Sequence, residues 1–263
     1  GEPARAGVGP MSRLTGDGLV VGFGGLRAID DLSVSVESCE LVGVMGPNGA
    51  GKSTFFNCVS GVLTPDSGSV VLDGTDVTGA PPERLARAGL VRTFQDTREL
   101  ETMTVRENVR LAARDHPGER TVPALLGSDD ARTTEDAVGE RADELIDTFD
   151  LTHLADAYSG SLSGGQRKLL ELARALMVDP DVLLLDEPFA GVNPSLTREI
   201  AEHIRALNEA GTTVVVIEHE LETLTDLAER LIVLQQGTLL VEGEPDAVVA
   251  DERVVDAYLG GGA

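Results

Sequence analysis

Residues 46–54 read GPNGAGKST, a glycine-rich run that ends in a lysine and two hydroxyl residues. The apolar segment Leu41–Met45 before it predicts a buried strand, and apolar residues at helical spacing over 53–59 predict a helix after it. This is the context that the phosphate-binding loop pattern G-x-x-x-x-G-K-[ST] requires. Glycines adopt backbone angles that a Cβ forbids, so the loop amides can converge on phosphate oxygens at a helix N-terminus. The run therefore predicts a site for nucleotide phosphates.

Individual loop residues have distinct expected parts in this site. Lys52 would reach the β- and γ-phosphates, the Ser53 hydroxyl would ligate Mg²⁺, and Thr54 would lie close to the α-phosphate. A glycine-rich turn that matches the pattern by chance is the alternative, and the flanking strand and helix argue against it. The residues predicted to bind ATP are Gly46, Pro47, Asn48, Gly49, Ala50, Gly51, Lys52, Ser53 and Thr54.

A second candidate set follows the apolar segment 182–185, which continues into Asp186 and Glu187. A strand buried on both faces would deliver Asp186 to the nucleotide end of the sheet, where it can hold Mg²⁺ through water. Glu187, the next residue, would then polarise the attacking water. Solvated carboxylates at an ordinary strand end are the alternative, because acidic residues are abundant in this chain. Beside a phosphate-binding loop, the pair favours nucleotide hydrolysis.

Residues 162–166 read LSGGQ and lead into a predicted helix over 167–177. Ser163 can donate to a phosphate, and Gly164 and Gly165 let backbone amides approach that phosphate at the helix N-terminus, with Gln166 completing the motif. Taken alone, the motif could be a capped helix start with the serine as N-cap residue. Its position upstream of the Asp186–Glu187 pair favours the phosphate-binding interpretation.

The remaining segments predict how these motifs are carried. Apolar segments at 182–185 and Thr213–Ile217, separated by helices, indicate a mostly parallel sheet, and 231–235 with 238–242 indicate a closing hairpin. We predict a flexible N-terminal extension at 1–15, an ATP-binding core with a β subdomain at 16–94 and 181–263, and a helical subdomain at 95–180. Within that subdomain, the polar stretch 115–139 has no sustained apolar period and is predicted to be a surface loop.

Composition limits the partners of the chain. Its 21 basic and 45 acidic residues leave a formal charge of −24, and no basic stripe is present, so nucleic-acid binding is not expected. Apolar residues make up 41% of the chain in periodic segments, which argues against disorder. A halophilic source explains the charge better, because molar salt shortens the Debye length to about 3 Å and screens the repulsion.

Cysteine content and hydropathy both favour a cytoplasmic location. Cys39 and Cys58 lack metal-ligand spacing and are expected to be reduced and mostly buried thiols. No secretory signal is evident, and no apolar run approaches the ~18 residues that span a bilayer. A cytoplasmic protein is expected.

Taken in order from Leu19 to Leu259, the motifs resemble the ATP-binding cassette (ABC) family. The resemblance implies an α/β fold: a P-loop NTPase ABC cassette with a mostly parallel core sheet, an antiparallel β subdomain and an inserted helical subdomain. It implies that Phe23 stacks on adenine, with a buried strand residue as the alternative, and that Gln95 contacts Mg²⁺ and the water. His219 matches the histidine that contacts the γ-phosphate. The implied catalytic set is Glu187, His219, Gln95 and Lys52, and the implied Mg²⁺ ligands are Ser53, Gln95 and Asp186.

The resemblance also implies partners. In a head-to-tail dimer, homo- or heterodimeric, the motif Ser163–Gln166 of one ABC ATPase subunit covers the γ-phosphate held by Lys52 of the other. Two transmembrane permease subunits would bind this dimer at the cytoplasmic face of the membrane, and an extracellular solute-binding protein would act indirectly.

The segments FGGLRAIDDLSVSV, RTFQ, EPFAGVNP, IEHE and EGEPDAVVADERVVDAYLG resemble the ATPase subunits of branched-chain amino-acid importers and their urea-transport relatives. Asn193, Glu220 and Cys39 depart from the commoner family residues Asp, Asp and Gly, and none of the three removes a catalytic group. The alternatives are a lipopolysaccharide or lipid exporter ATPase and a soluble ABC scaffold such as that of iron-sulfur cluster assembly. The transported solute does not touch this chain, so its identity rests on the resemblance alone.

Overall fold

The computed structural model describes residues 12–93, 99–113 and 129–259. The chain divides into two compact units. The first comprises the residues up to Leu90, Asp181–Glu187 and the residues from Ile204 onwards, and the second comprises Val91–Pro180 and Pro188–His203. The second unit therefore differs from the predicted helical subdomain, 95–180, because it starts four residues earlier and includes residues 188–203.

One sheet of the first unit is antiparallel, with strand order β2-β1-β4-β5. Its strands are β1 (Ser12–Phe23), β2 (Leu26–Glu37), β4 (Ser67–Leu72) and β5 (Thr75–Asp76). In β2, alternate residues are buried over the second half of the strand, as expected for a sheet with one face on a core. This sheet is the predicted antiparallel β subdomain.

Strand β1 corrects the predicted extension at 1–15, because residues 12–15 already belong to it. Leu14 pairs with Val36 of β2 on one side and with Leu72 of β4 on the other, and its side chain is 2% exposed. The burial of Leu14 between two strands holds residues 12–15 in the sheet, although their composition predicts a flexible extension. Residues 1–11 lie outside the described part of the chain.

The second sheet has the order β10-β9-β3-β8-β7-β6. Its strands are β3 (Leu41–Met45), β6 (Leu90–Arg92), β7 (Val182–Asp186), β8 (Thr213–Ile217), β9 (Arg230–Gln235) and β10 (Thr238–Gly243). Strand β3 runs parallel to β8 and β9, β7 runs parallel to β8, and β9 and β10 form an antiparallel hairpin. The predicted mostly parallel sheet and its closing hairpin are confirmed. Strands β3, β7 and β8 are buried at every residue, so their sequences read as continuous apolar runs.

The helices follow in chain order. They are α1 (Lys52–Val59), α2 (Pro82–Arg87), α3 (Val105–Leu111), α4 (Asp129–Thr148), α5 (Gly164–Leu176), α6 (Pro194–Glu209), α7 (Leu221–Leu227), α8 (Pro245–Val249) and α9 (Glu252–Leu259). In the described part of the chain, no helix combines the length and the apolar character needed to cross a bilayer.

Within the second unit, α3, α4 and α5 pack on one another. Asn108 of α3 is 1% exposed, and its amide group donates to the carbonyls of Leu100, Met103 and Thr104 and to the Ser159 hydroxyl. Its side-chain oxygen accepts from the backbone N–H of Leu100. A buried amide with this many partners fixes the segment before α3 against the 3₁₀ turn at Ser159–Ser161.

Helix α4 corrects the prediction of a surface loop over 115–139, because residues 129–139 are helical. Residues 135–137 are exposed, so this part of the helix needs no apolar stripe and shows none in the sequence. The rest of the predicted loop, up to residue 128, lies outside the described residues.

The two thiols differ in exposure. Cys58 in α1 is buried, as predicted, whereas Cys39 is exposed, so the prediction that both are mostly buried is wrong for Cys39. Cys39 lies in the tight connection between β2 and β3 with φ 61°, in the left-handed region that glycine favours. The turn holds this side chain outward, and its amide donates to the Thr213 hydroxyl at 2.9 Å.

Candidate functional site

The glycine-rich loop lies between β3 and α1, and two of its glycines have no room for a side chain. Gly46 has φ 148°, and a Cβ there would lie 2.2 Å from the carbonyl oxygen of Leu234. Gly51 has φ 102°, and a Cβ there would lie 2.7 Å from the carbonyl oxygen of Ala28. The loop is therefore held between the end of β9 and the backbone of β2 in a path that only glycine permits at these positions.

Helix α1 starts with backbone donors that have no acceptor within the helix. Its N-cap residue is Gly51, which has no side chain to cap the helix, and the first intrahelical bond joins the Phe55 N–H to the Gly51 carbonyl. The amides of Lys52, Ser53 and Thr54 precede that bond and have no intrahelical acceptor. Amides in this arrangement, at the positive end of a helix, suit a phosphate.

Lys52 is 5% exposed, and its ammonium group donates to the Gly46 carbonyl at 2.6 Å and to the Pro47 carbonyl at 3.2 Å. Burial lowers the pKa of Lys52, and the charges of Glu187 and Asp186 raise it in part. The Lys52 ammonium therefore interacts electrostatically with both carboxylates. A bound γ-phosphate and its cation would lie close to the same three groups.

The register of the parallel sheet brings the acidic pair and the histidine together. Asp186, the last residue of β7, pairs with Ile217, the last residue of β8, and Ile217 in turn pairs with Val44 of β3. Glu187 and His219 follow these strand ends, and the carboxylate Oε1 lies 2.8 Å from the imidazole Nε2. The carboxyl ends of the strands therefore collect residues that are far apart in the sequence.

Glu187 has a left-handed backbone, with φ 50°, and its N–H donates to the Ile217 carbonyl at 3.0 Å. A non-glycine residue in this region costs free energy, on the order of 1 kcal/mol, and such residues concentrate at functional sites. From this turn the Glu187 carboxylate reaches the His219 imidazole. A carboxylate held by an imidazole in this way can accept a proton from water.

The donor atoms at this edge fit a hard divalent cation. Ser53 contributes an exposed hydroxyl at the start of α1, and Asp186 contributes a carboxylate that is 4% exposed. Oxygen ligands of this kind suit Mg²⁺, which is held by one or two protein groups together with substrate phosphates and water. Among the described residues, no cluster of three or more His, Cys, Asp and Glu side chains forms an all-protein metal site.

Phe23, the last residue of β1, is 54% exposed, so the alternative of a buried strand phenylalanine is wrong. Leu26, at the start of β2, is also exposed at this hairpin tip. An exposed ring is free to stack on a base, although its contact with adenine stays a prediction. Gln95 lies outside the described residues.

In the second unit, Ser163 is the N-cap residue of α5. Its hydroxyl accepts from the Gln166 N–H at 3.3 Å, and the Gln166 side chain accepts from the Ser163 N–H at 2.9 Å, which completes a capping box. The helix-capping alternative is thus realised in the structure. The hydroxyl acts as an acceptor in the box and keeps its own hydrogen for a phosphate. Ser163 and Gly164 are exposed, so the phosphate-binding role stays a prediction that capping does not exclude.

Two residues make contacts that the motifs do not predict, although Asn193 before Pro194 is an ordinary signal for a helix start. The Asn193 side chain accepts from the amides of Ser195 and Leu196, both at 3.0 Å, and so caps α6. An aspartate, the commoner family residue, could make the same contacts. The Tyr258 hydroxyl accepts from the Gly46 N–H at 3.0 Å, across 212 residues of sequence.

A cleft of about 560 Å³ lies beside the phosphate-binding loop in the first unit. One wall is that loop, and the other walls are His219, the end of β9 and helix α9. Its lining residues are Gly46, Pro47, Asn48, Gly49, Ala50, His219, Gln235, Gln236, Asp256, Ala257 and Tyr258.

Residues 29–190 match the family described as ABC transporter, and residues 238–263 match the family described as branched-chain amino acid ATP-binding cassette transporter. The probable branched-chain amino acid transport ATP-binding protein LivG of Archaeoglobus fulgidus is 38% identical over 238 residues, which are 90% of this chain and 91% of that protein. The high-affinity branched-chain amino acid transport ATP-binding protein BraF of Pseudomonas aeruginosa is 38% identical over 253 residues, 95% of this chain and 99% of that protein.

Solved structures similar to this chain are also ATP-binding cassettes. The ADP conformation of an ATP-binding cassette of an ABC transporter has a TM-score of 0.83 and 38% identity, covering 95% of this chain and 99% of its own. A dimeric ATP-binding cassette in a post-hydrolysis state, bound to ADP and Pi, has a TM-score of 0.73 and 26% identity, covering 88% of this chain and 98% of its own. With these matches, the chain belongs to the ATP-binding cassette family of ABC transporters and is an ATPase of that family.

Proposed function

We propose that this ATPase powers the import of branched-chain amino acids, as one of the nucleotide-binding subunits at the cytoplasmic face of a membrane transporter. ATP hydrolysis is supported by the buried Lys52, which interacts electrostatically with Asp186 and Glu187. The Glu187 carboxylate in turn lies 2.8 Å from the His219 imidazole. The solute class is supported by the names of the relatives and by the match of residues 238–263 to the branched-chain amino acid family.

Each side chain of the site has a separate role in hydrolysis. The loop amides and Lys52 hold the phosphates, and Glu187 accepts the proton of the attacking water while His219 orients its carboxylate. The water oxygen bonds to the γ-phosphorus, the bond from that phosphorus to the β–γ bridging oxygen breaks, and ADP is the leaving group. Ser53, Asp186 and Gln95 are the proposed ligands of Mg²⁺, which when bound neutralises charge on the phosphate oxygens. Because Glu187 is fixed by backbone conformation and by His219, little reorganisation is needed when the water arrives.

The proposed assembly is a head-to-tail pair of ATPase subunits. In it, Ser163, Gly164, Gly165 and Gln166 of one subunit bind the γ-phosphate on the loop of the other, and Phe23 stacks on the adenine. The exposure of Ser163 and Gly164 supports this arrangement, as does the dimeric state of the relative bound to ADP and Pi.

Two permease subunits and, indirectly, an extracellular solute-binding protein complete the proposed transporter. The second unit carries a groove of about 210 Å³ with apolar and charged walls that include Val91, Ala112, Arg174 and Ala175. A partly apolar groove of this kind fits a segment of a membrane protein better than it fits nucleic acid.

We also propose that the chain comes from a halophile. The support is its charge of −24, which at low ionic strength would place strong self-repulsion on the folded state.

Uptake by cells tests the transport proposal. The gene is deleted in the organism that encodes it, and uptake of radiolabelled leucine, isoleucine and valine is compared with that of labelled urea. Loss of branched-chain amino-acid uptake that the parent gene restores, and a Lys52→Ala gene does not, supports the proposal. Loss of urea uptake alone would assign the protein to the urea importers. Unchanged uptake of all four solutes would contradict an importer function for these substrates.

A further inference from the structure

The first residue of the phosphate-binding loop, Gly46, joins two side chains that the hydrolysis scheme does not connect. The Gly46 N–H donates to the Tyr258 hydroxyl at 3.0 Å, and the Gly46 carbonyl accepts from the Lys52 ammonium at 2.6 Å. Gly46 itself is buried, and a Cβ there would overlap the Leu234 carbonyl. One small residue thus stands between the C-terminal helix and the lysine that meets the phosphates.

Helix α9 is anchored firmly enough to act as a support. Val254 and Ala257 are 2% and 5% exposed, so the helix buries one face. Asp251 caps its start by accepting from the Arg253 N–H at 2.8 Å, and the Arg253 side chain binds Asp251 and reaches the Leu240 carbonyl of β10. The Tyr258 hydroxyl is therefore presented to Gly46 from a helix fixed at both its start and its buried face.

Burial favours the neutral form of the Tyr258 phenol. Burial raises the pKa of Tyr258, and the hydrogen bond from Gly46 lowers it only in part. The neutral hydroxyl accepts from the amide and keeps a hydrogen of its own for the adjoining cleft, which Asp256 and His219 also line.

We propose that Tyr258 is a positioning residue of the ATP site: through Gly46 it holds the loop so that Lys52 meets the β- and γ-phosphates. The C-terminal helix is then part of the nucleotide site, and a displacement of α9 weakens ATP binding without touching the nucleotide. The proposal deepens the ATPase function of the same site and depends on it.

The test deletes a single hydroxyl. Tyr258→Phe keeps the ring and its packing, and Tyr158→Phe is the matched control, because Tyr158 is the other tyrosine of the chain and is 63% exposed. ATP and ADP binding to the full-length parent and variants is measured by calorimetry in molar KCl, with melting temperature and with amide hydrogen exchange at Gly46. We expect Tyr258→Phe to bind both nucleotides about three- to tenfold more weakly, which is the value of one hydrogen bond, and to exchange the Gly46 amide faster. The control should match the parent.

A second comparison separates positioning from packing. If Tyr258 acts through Lys52, adding Tyr258→Phe to Lys52→Ala should weaken ADP binding no further, whereas independent effects would add. Additive losses, a control that weakens binding as much as Tyr258→Phe, or a lower melting temperature with unchanged nucleotide affinity would each overturn the proposal. A parent chain that binds ATP while Tyr258→Phe binds it equally well contradicts this link alone. A parent chain that binds no ATP would contradict the proposed function as well.

Discussion

Replacing Glu187 with glutamine tests whether Glu187 accepts the proton of the attacking water. Glutamine has the same length and the same Cβ, so it adopts the φ of 50° at a similar cost and can still reach the His219 Nε2, now 2.8 Å from the glutamate oxygen. What it loses is the ability to take a proton. Asp186 remains to support the positive charge of Lys52, so ATP binding should survive.

The expected size of the effect follows from these contacts. Folding stability should change by less than about 1 kcal/mol, because the replaced contact is to a partly exposed histidine, 45% accessible, and no cavity is formed. The rate of hydrolysis should fall by about 10²–10⁴, the usual contribution of a general base, which corresponds to roughly 2.7–5.5 kcal/mol in the activation barrier.

The assay measures ATP hydrolysis in molar KCl and follows self-association by light scattering with ATP and Mg²⁺. The parent should turn over ATP, and Glu187→Gln should bind ATP and accumulate as a dimer. Glu222→Gln is the control, because it makes the same change in charge at an exposed position of α7. If Glu187→Gln hydrolyses ATP within about threefold of the parent, Glu187 is not the base and the reasoning from its geometry is wrong. If neither chain hydrolyses ATP nor dimerises, the homodimeric form of the proposed pair is contradicted, and a heterodimer or activation by the permeases replaces it.

Three further predictions concern the body of the protein. Asn108→Ala should destabilise the second unit by about 2–4 kcal/mol, measured by urea unfolding, because it removes all the hydrogen bonds of a buried amide, including the acceptor of the Leu100 N–H; a loss below about 0.5 kcal/mol would contradict this role. Burial raises the pKa of Cys58 to about 11, so at pH 8 its thiolate is scarce and a thiol reagent should modify only the exposed Cys39 until the chain is unfolded; equal native rates would refute this. Because charge repulsion is screened by salt, the melting temperature should rise as KCl is raised to molar concentrations, and a flat or falling melting temperature would contradict the interpretation of the −24 charge.

The sequence by itself determined the local parts of the site. The glycines and Lys52 fall within nine residues, and the buried strand and helix around them are short, so spacing alone carries the information. The apolar runs of β3, β7 and β8 likewise predicted a parallel sheet. Strands that are buried on both faces are apolar at every residue and do not alternate with polar residues. Periodicity did not predict helix α4, of which residues 135–137 are exposed, and the pairing of Leu14 shows that β1 starts earlier than composition indicates.

The tertiary structure alone decided which of these parts touch. The contact of Glu187 with His219 follows from the pairing of Asp186 with Ile217, a register that no motif encodes, and it orients a carboxylate across 32 residues. The link from Tyr258 to Gly46 depends on where the last helix packs. Burial lowers the Lys52 pKa against the opposing charges of Glu187 and Asp186, and both effects depend on the folded packing. Local spacing encodes backbone conformation, whereas contact between distant side chains depends on strand order, register and packing, which exist only once the chain has folded.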